Sequence, residues 1–212
     1  MDRFAGRLAA VVVVAFSITF AGVGTAHAQV VISQLYGGVG NSGATLRSNF
    51  IELRNNGATE VIVDGWSVQY TSAAGSSWQR TALSGRIAAG GYYLVKQADG
   101  AGGTVDLPAP DATGTIPMAA TNGKVTLLNN AAALSGSCPL EAAALVDFVG
   151  FGSSATCAET MPTATLSNTT AALRNGGGQC RQQQQRRRFH PRHARPAQQR
   201  FRAAATRATG RA

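Results

Sequence analysis

The stretch NFIELRNNGATEVIVDGWSVQY (residues 49–70) decides the fold class, because two alternating apolar runs flank a polar turn within it. In the first run, Ile51 and Leu53 alternate with the polar residues Glu52 and Arg54. An apolar residue at every second position is typical of a half-buried β-strand. The second run, at residues 61–70, keeps the same period of two on both sides of Asp64-Gly65. The pattern predicts a β-hairpin.

Trp66 follows the Asp-Gly break directly. The break predicts a bulge or a tight bend. Trp66 is in phase with Val68 and Tyr70, so we expect its large side chain to fill the core of a small β-sandwich.

Further short runs rich in β-branched and aromatic residues extend this pattern, and Gly, Pro and Asn turn signals separate them. They are residues 29–36, 78–83, 92–96, 124–129 and 145–151. Between them, residues 98–120 contain three prolines and predict a long loop. About seven short strands with a turn signal every 8–12 residues or so predict an all-β sandwich.

Residues 1–28 have the organisation of a secretory signal peptide. Two arginines precede an apolar run, and Ala-His-Ala at the end fits the small-x-small cleavage rule. We therefore expect a secreted or envelope protein that begins at Gln29 and has no transmembrane anchor after cleavage. An uncleaved anchor is the alternative, although the apolar run is shorter than the roughly 20 residues of a spanning helix.

The net charge of +9 is distributed unevenly along the chain. Residues 181–212 contain ten arginines and no acid, whereas residues 1–180 contain nine basic and ten acidic side chains. The chain thus divides into a nearly neutral domain at residues 29–180 and a basic tail at residues 181–212. Any affinity for a polyanion would lie in the tail.

The three cysteines predict one disulfide and one remaining thiol in an oxidising compartment. We favour Cys138 with Cys157, because the segment between them could form a strand whose flanking loops approach each other. Cys157 with Cys180 is the alternative. There is no CxxC pair, so the spacings do not resemble a zinc site.

Residues 29–180 contain no histidine, which excludes Ser-His-Asp and Cys-His catalysis there. Glu52, Asp64 and Asp147 are the acids within strand-like runs, and we interpret them as members of solvated strand faces or turn caps. The GxGxxG match at residues 38–43 lacks a following helical pattern, so we interpret it as a flexible surface turn. We expect no catalytic residue, metal or cofactor.

Trp78 is the candidate for surface binding. Its neighbours Ser77 and Gln79 are polar, and an exposed tryptophan could stack on a sugar or a base. Burial in the core is the open alternative.

Several motifs in the same order give the chain a resemblance to a known family. They are VVISQLYGGVGNSGATLRSNFIELRNNG (30–57), VDGWSVQY (63–70), IAAGGYYLV (87–95), SCPL (137–140) and LVDFVGFG (145–152). This order resembles the bacterial lamin tail domain family, over roughly residues 29–180. The resemblance implies an immunoglobulin-like sandwich that serves as a binding or anchoring module in secreted or surface proteins. Such domains often precede an endonuclease/exonuclease/phosphatase-type catalytic domain, and no family-wide catalytic residues are implied.

The sequence departs from the family pattern after Gly178. Residues 181–189 (RQQQQRRRF) can be written in codons that, read one base later, encode DNNNNAADF, which is similar to the closing segment of relatives. We therefore interpret the tail as frame-shifted and disordered, at the expense of a closing strand.

These observations lead to three hypotheses on function. The first is a secreted, non-catalytic module whose unknown partner is an envelope component, another protein or nucleic acid. The second is a truncated N-terminal accessory domain of a secreted nuclease or phosphatase. The third is nucleic-acid binding through the arginines of the tail.

Overall fold

The computed structural model describes residues 29–178, 189–194 and 196, which form an immunoglobulin-like β-sandwich. Its strands are β1 (Val30–Tyr36), β2 (Ser48–Asn55), β3 (Val61–Ile62), β4 (Ser67–Thr71), β5 (Gln79–Ala82), β6 (Arg86–Ile87), β7 (Tyr92–Asp99), β8 (Ala112–Thr113), β9 (Gly123–Leu128), β10 (Leu145–Phe151), β11 (Thr170–Arg174) and β12 (Phe189–His193). A short 3₁₀ helix, Asn175–Gly178, follows β11. In this described part, no helix has the length and apolar character to cross a membrane. The predicted signal peptide lies outside it.

Two sheets form the sandwich. The larger has six strands in the order β12-β11-β1-β2-β7-β8, and the smaller has four in the order β10-β9-β4-β5. Strands β3 and β6 form a separate two-stranded sheet. The pairs are antiparallel except β7 with β8, which is parallel. Strand β8 lies within the segment for which the sequence predicted only a loop.

The hairpin predicted for residues 49–70 is wrong. Strand β2 pairs with β1 and β7 in the larger sheet, whereas β4 pairs with β5 and β9 in the smaller sheet. Alternation shows which face of a strand is buried but does not show which strand lies beside it. The break between the two runs is a tight turn, in which Gly65 has a φ of +75° and the Trp66 N–H donates to the Val63 carbonyl at 3.0 Å.

The main core lies between the two sheets. Ile32, Ile51 and Leu53 contribute from the larger sheet, and Val68 and Leu127 contribute from the smaller one.

Trp66 packs against the margin of this core and is only half-buried. It does not fill the centre of the core as expected, because it lies in the turn before β4 rather than within the strand.

Two β-bulges change which side chains face the core. The pairing of β1 with β2 shifts between Ile32 and Gln34, and the pairing of β10 with β9 shifts between Leu145 and Asp147. Each bulge inserts one residue and so reverses the alternation beyond it. As a result Leu35 faces the core on β1, and Asp147 points inward on β10.

Loops cover the outer faces of both sheets. On the larger sheet, Tyr36, Phe50 and Leu94 form a second apolar cluster with Leu46 from the loop before β2. On the smaller sheet, a third cluster contains Trp78, Phe148 and Cys157. The domain therefore has apolar layers outside its sheets as well as between them.

The tail that the sequence predicted to be disordered contributes strand β12. This strand pairs antiparallel with β11, from Thr170 opposite His193 to Arg174 opposite Phe189. The edge of β11 offers backbone donors and acceptors that favour pairing with any extended segment. The remainder of the tail, residues 181–188, 195 and 197–212, lies outside the described residues.

Candidate functional site

Cys138 and Cys157 form a disulfide, with their Cα atoms 5.3 Å apart. This is the pairing that the sequence favoured, and β10 lies between the two cysteines as expected. Cys180, the partner in the alternative pairing, lies outside the described residues.

Trp78 is buried, with 6% of its surface exposed. Its ring meets Phe148 edge-to-face at a centroid distance of 5.7 Å, and its Nε1–H donates to the Gly136 carbonyl at 3.0 Å. The structure therefore corrects the expectation of an exposed platform for sugars or bases at Trp78. Its polar neighbours gave the wrong signal, because the disulfide loops cover this face of the sheet.

Lys124 lies on β9 beneath the same loops and is fully buried. Its Nζ donates to the Gly75 carbonyl at 2.9 Å, the Ser137 carbonyl at 2.7 Å and the Thr156 Oγ1 at 3.2 Å. The ammonium also lies 5.8 Å from the centre of the Trp78 ring, within range of a cation–π interaction. Burial lowers the pKa of Lys124 from its ordinary value. We call these contacts the Lys124 network.

Asp147 is a second buried ionisable group, and it lies where the two sheets meet. Its Oδ2 accepts from Arg174 Nη2 at 2.6 Å and from the Ile32 N–H at 2.7 Å, and Arg174 Nε donates to the Ile32 carbonyl at 2.9 Å. Asp147 belongs to the smaller sheet, whereas Ile32 and Arg174 belong to the larger one. The three residues join the two sheets at the bulge in β1.

The expectation that the strand acids are solvated fails for Asp147 and Glu52. Both are buried, and Glu52 Oε1 accepts from the Ser33 hydroxyl at 2.8 Å. The expectation of a turn cap does describe Asp64, which is exposed and accepts from the Gly85 N–H at 2.6 Å.

The structure does not bring these acids together. In the described part of the chain, no group of three or more His, Cys, Asp or Glu side chains has an arrangement that could hold a metal ion. The GxGxxG segment is a loop between β1 and β2 rather than the start of a helix. Residues 40–43 of this loop are exposed, as the sequence predicted, whereas Gly38 at its start is buried, and a Cβ there would lie 2.4 Å from the Asn168 carbonyl oxygen.

Three buried tyrosines direct their hydroxyls to the backbone. Tyr36 donates to Asn168, Tyr93 donates to Ser84, and Tyr70 accepts from the Ala119 N–H. Burial raises the pKa of each hydroxyl above its ordinary value of 10.0. These hydrogen bonds hold loops against the sheets.

The lamin tail domain family matches residues 24–181, which is most of the chain. The chain belongs to the lamin tail domain family. This match confirms the motif resemblance found in the sequence, and lamin tail domains are immunoglobulin-like.

Among solved structures, this lamin tail domain is similar to a DUF4876 family protein from Bacteroides thetaiotaomicron VPI-5482. The two share 13% sequence identity with a TM-score of 0.45, and the match covers 79% of this chain and 69% of that chain. No curated protein matches the sequence.

Sequence reasoning missed Lys124 and the pairing of Asp147 with Arg174. For Asp147 a signal was present, because it keeps the period of two with Val149 and Phe151, which face the core. For Lys124 there was none, because the loops that bury it come from distant parts of the sequence.

Proposed function

We propose that this lamin tail domain is a secreted, non-catalytic module that binds or anchors to another molecule outside the cell. Its supporting observation is the use of its buried polar groups. Lys124 donates to a loop carbonyl. Arg174 binds Asp147 and the Ile32 carbonyl, which joins the two sheets. A catalytic acid or base needs access to a substrate, and these groups are buried in structural contacts.

Export is the first part of this proposal to test. We expect the mature protein to begin at Gln29, which N-terminal sequencing of protein secreted by a bacterial host would detect. A chain that keeps residues 1–28 and stays with the membrane fraction would contradict cleavage.

The absence of catalysis is tested with the purified mature chain. We expect no turnover of bis(p-nitrophenyl) phosphate and no nicking of plasmid DNA, with or without Mg²⁺ or Mn²⁺. The matched control is Asp64→Asn, which alters an exposed acid. Turnover that this variant abolishes would contradict the proposal.

Anchoring is tested by sedimentation of the fluorescently labelled chain with purified envelope fragments. We expect saturable binding that unlabelled chain displaces. Binding that is proportional to concentration without saturation, and that unlabelled chain does not displace, would contradict a specific anchoring role.

A second candidate function rests on the composition of the tail. Residues 181–212 contain ten arginines and no acid, and part of this segment, β12, lies against the domain. Arginines bind phosphates without regard to sequence, and such binding weakens steeply with salt because counterions are released.

A truncation series separates this function from the first. If the tail binds nucleic acid, a chain that ends at Pro196 should keep about six-tenths of the slope of log affinity against log salt for a 30-base oligonucleotide, since six of the ten tail arginines remain. A chain that ends at Gly178 should lose the binding. Equal affinity of both truncations for DNA would exclude the tail as the binding element.

A further inference from the structure

The Lys124 network contacts the residue that directly precedes each cysteine of the disulfide. Ser137, whose carbonyl accepts from Lys124 Nζ, precedes Cys138, and Thr156, whose hydroxyl also accepts from it, precedes Cys157. One ammonium group therefore joins both disulfide loops, one residue away from each sulfur-bearing side chain.

Other hydrogen bonds hold the same elements in place beside the disulfide. Lys124 lies on β9, which pairs on both sides, with β4 and with β10. The loop of Thr156 is held a second time, because its N–H and its hydroxyl both donate to the Ala73 carbonyl, at 3.0 and 2.9 Å. The loop of Cys138 is held a second time by the hydrogen bond from Trp78 to Gly136.

A lysine is a costly choice for this position. Within the described residues Lys124 forms no salt bridge, and burying a charge without a counter-ion is unfavourable unless its donors are satisfied. An apolar side chain such as methionine would fill similar space without that cost. Unlike methionine, the ammonium can donate hydrogen bonds to the loops that cover it.

We propose that Lys124 positions Cys138 and Cys157 for disulfide formation by holding their loops together before the thiols are oxidised. The two cysteines are separated by 19 positions in the sequence, and folding rather than the covalent bond then closes the loop between them. The network raises the effective concentration of one thiol at the other.

The covalent step is thiol–disulfide exchange with a small-molecule disulfide, RS–SR. The thiolate of one cysteine attacks a sulfur of RS–SR, which forms a mixed disulfide and releases one RS⁻. The thiolate of the second cysteine attacks the protein sulfur of that mixed disulfide and releases the second RS⁻. Two protein thiols lose two protons and two electrons, and RS–SR is reduced to two RSH.

The test measures the effective concentration of the two thiols in the full mature chain, with Cys180→Ala in every variant. Reduced protein is equilibrated with mixtures of oxidised and reduced glutathione, quenched with acid, and the fraction of disulfide is determined by mass spectrometry. We expect Lys124→Met to lower the effective concentration by about ten-fold or more, as for the loss of hydrogen bonds to a charged group. In concentrated guanidinium chloride, where the network is absent, the variant should match the parent.

Two controls separate positioning from general stability. Arg80→Met removes another cation that donates to a loop carbonyl, that of Ala131, but does not contact the residues next to the cysteines. Val68→Ala weakens the main core without altering the loops. Neither should change the effective concentration more than about two-fold. A fall in Val68→Ala as large as that in Lys124→Met would overturn the proposal, and so would an unchanged value in Lys124→Met.

A second measurement does not depend on whether Lys124→Met folds. In a Cys138→Ala/Cys157→Ala variant, the network should still hold the loops, so the Trp78 indole N–H should remain protected from hydrogen exchange. Loss of that protection while the amides of β9 stay protected would show that the disulfide holds the loops and Lys124 does not.

Discussion

Arg174 is the residue whose loss should affect stability most directly. Its guanidinium binds the carboxylate of Asp147 and the carbonyl of Ile32, and the side chains of Arg174 and Asp147 are only 4% and 3% exposed. A buried ion pair contributes little net stability compared with an apolar pair, but removal of one partner leaves an uncompensated charge.

We therefore expect Arg174→Met to lower the free energy of unfolding by about 3–5 kcal/mol, measured by urea denaturation. The matched control is Arg86→Met, which removes an exposed arginine that is paired with Glu60, and should cost less than about 1 kcal/mol. Replacing both partners, as Asp147→Leu with Arg174→Met, should cost less than the sum of the single changes. Equal costs for Arg174→Met and Arg86→Met would contradict the structural role.

At this scale, the period of two predicted the burial of apolar strand residues, but it predicted neither the burial of the acids nor the partners of any side chain. Ile51 and Leu53 face the core as their alternation indicated. Glu52 and Asp147 were assigned to solvent because acids are mostly exposed, yet hydrogen bonds keep both buried. The partner of Asp147 lies on a strand 27 residues away, and no local pattern reports a contact of that range.

At the scale of elements, the runs at residues 29–36, 92–96, 124–129 and 145–151 each coincide with all or most of a strand of the structure. The predicted strands were therefore mostly correct, whereas the predicted pairing of the two runs in residues 49–70 was not. Neighbour choice depends on how the chain crosses between sheets, as for β2 and β4. Strands β3, β6 and β8 have two residues each, which is too short for a period to be recognised.

Strand β12 gives the second prediction. Its pairing satisfies backbone groups at the edge of β11, and Ala194 beyond it is buried in the second apolar cluster. A chain that ends at Gly178 should therefore be less stable by about 1–3 kcal/mol, the effect of a few net hydrogen bonds and a small apolar area. Thermal and urea unfolding measure this difference.

The control for this truncation is a chain that ends at Pro196, which keeps β12 and should unfold like the full mature chain. A chain with DNNNNAADF in place of residues 181–189 would test the frameshift hypothesis, and it should be more stable than the parent. Identical unfolding of the Gly178 truncation and the full chain would show that β12 adds nothing.

At the scale of the whole molecule, stability should fall in alkaline solution. Burial raises the pKa of Tyr36, Tyr70 and Tyr93 above 10.0 in the folded state, so the unfolded chain releases these protons first as the pH rises. Stability rises with pH only where the unfolded state binds more protons, and here it binds fewer. The contribution of the tyrosines is present below pH 10 and is lost as the pH rises through their folded pKa values.

Lys124 changes the pH dependence of stability in the opposite direction, at pH values below 10.5. Its pKa is lowered in the folded state, so between that value and 10.5 the unfolded chain binds more protons and stability rises with pH. Lys124→Met removes this rise and should make the alkaline loss steeper, whereas Tyr70→Phe should make it shallower. Urea unfolding between pH 8 and 11 or so, with the disulfide intact, measures both slopes. Parallel curves for the two variants would contradict the assignment.

The edges of the two sheets have a consequence for how this protein behaves at high concentration. Strand β8 has two residues, β5 has four and contains Arg80, β12 contains Pro191, and Asp147 on β10 is held by the neighbouring sheet. Long, flat, unpaired edges are what allow β-proteins to polymerise, and short, charged or proline-containing edges oppose it. Strand addition is thus a poor route for this domain to join other chains, including copies of itself, which leaves its loops as the surfaces free to make specific contacts.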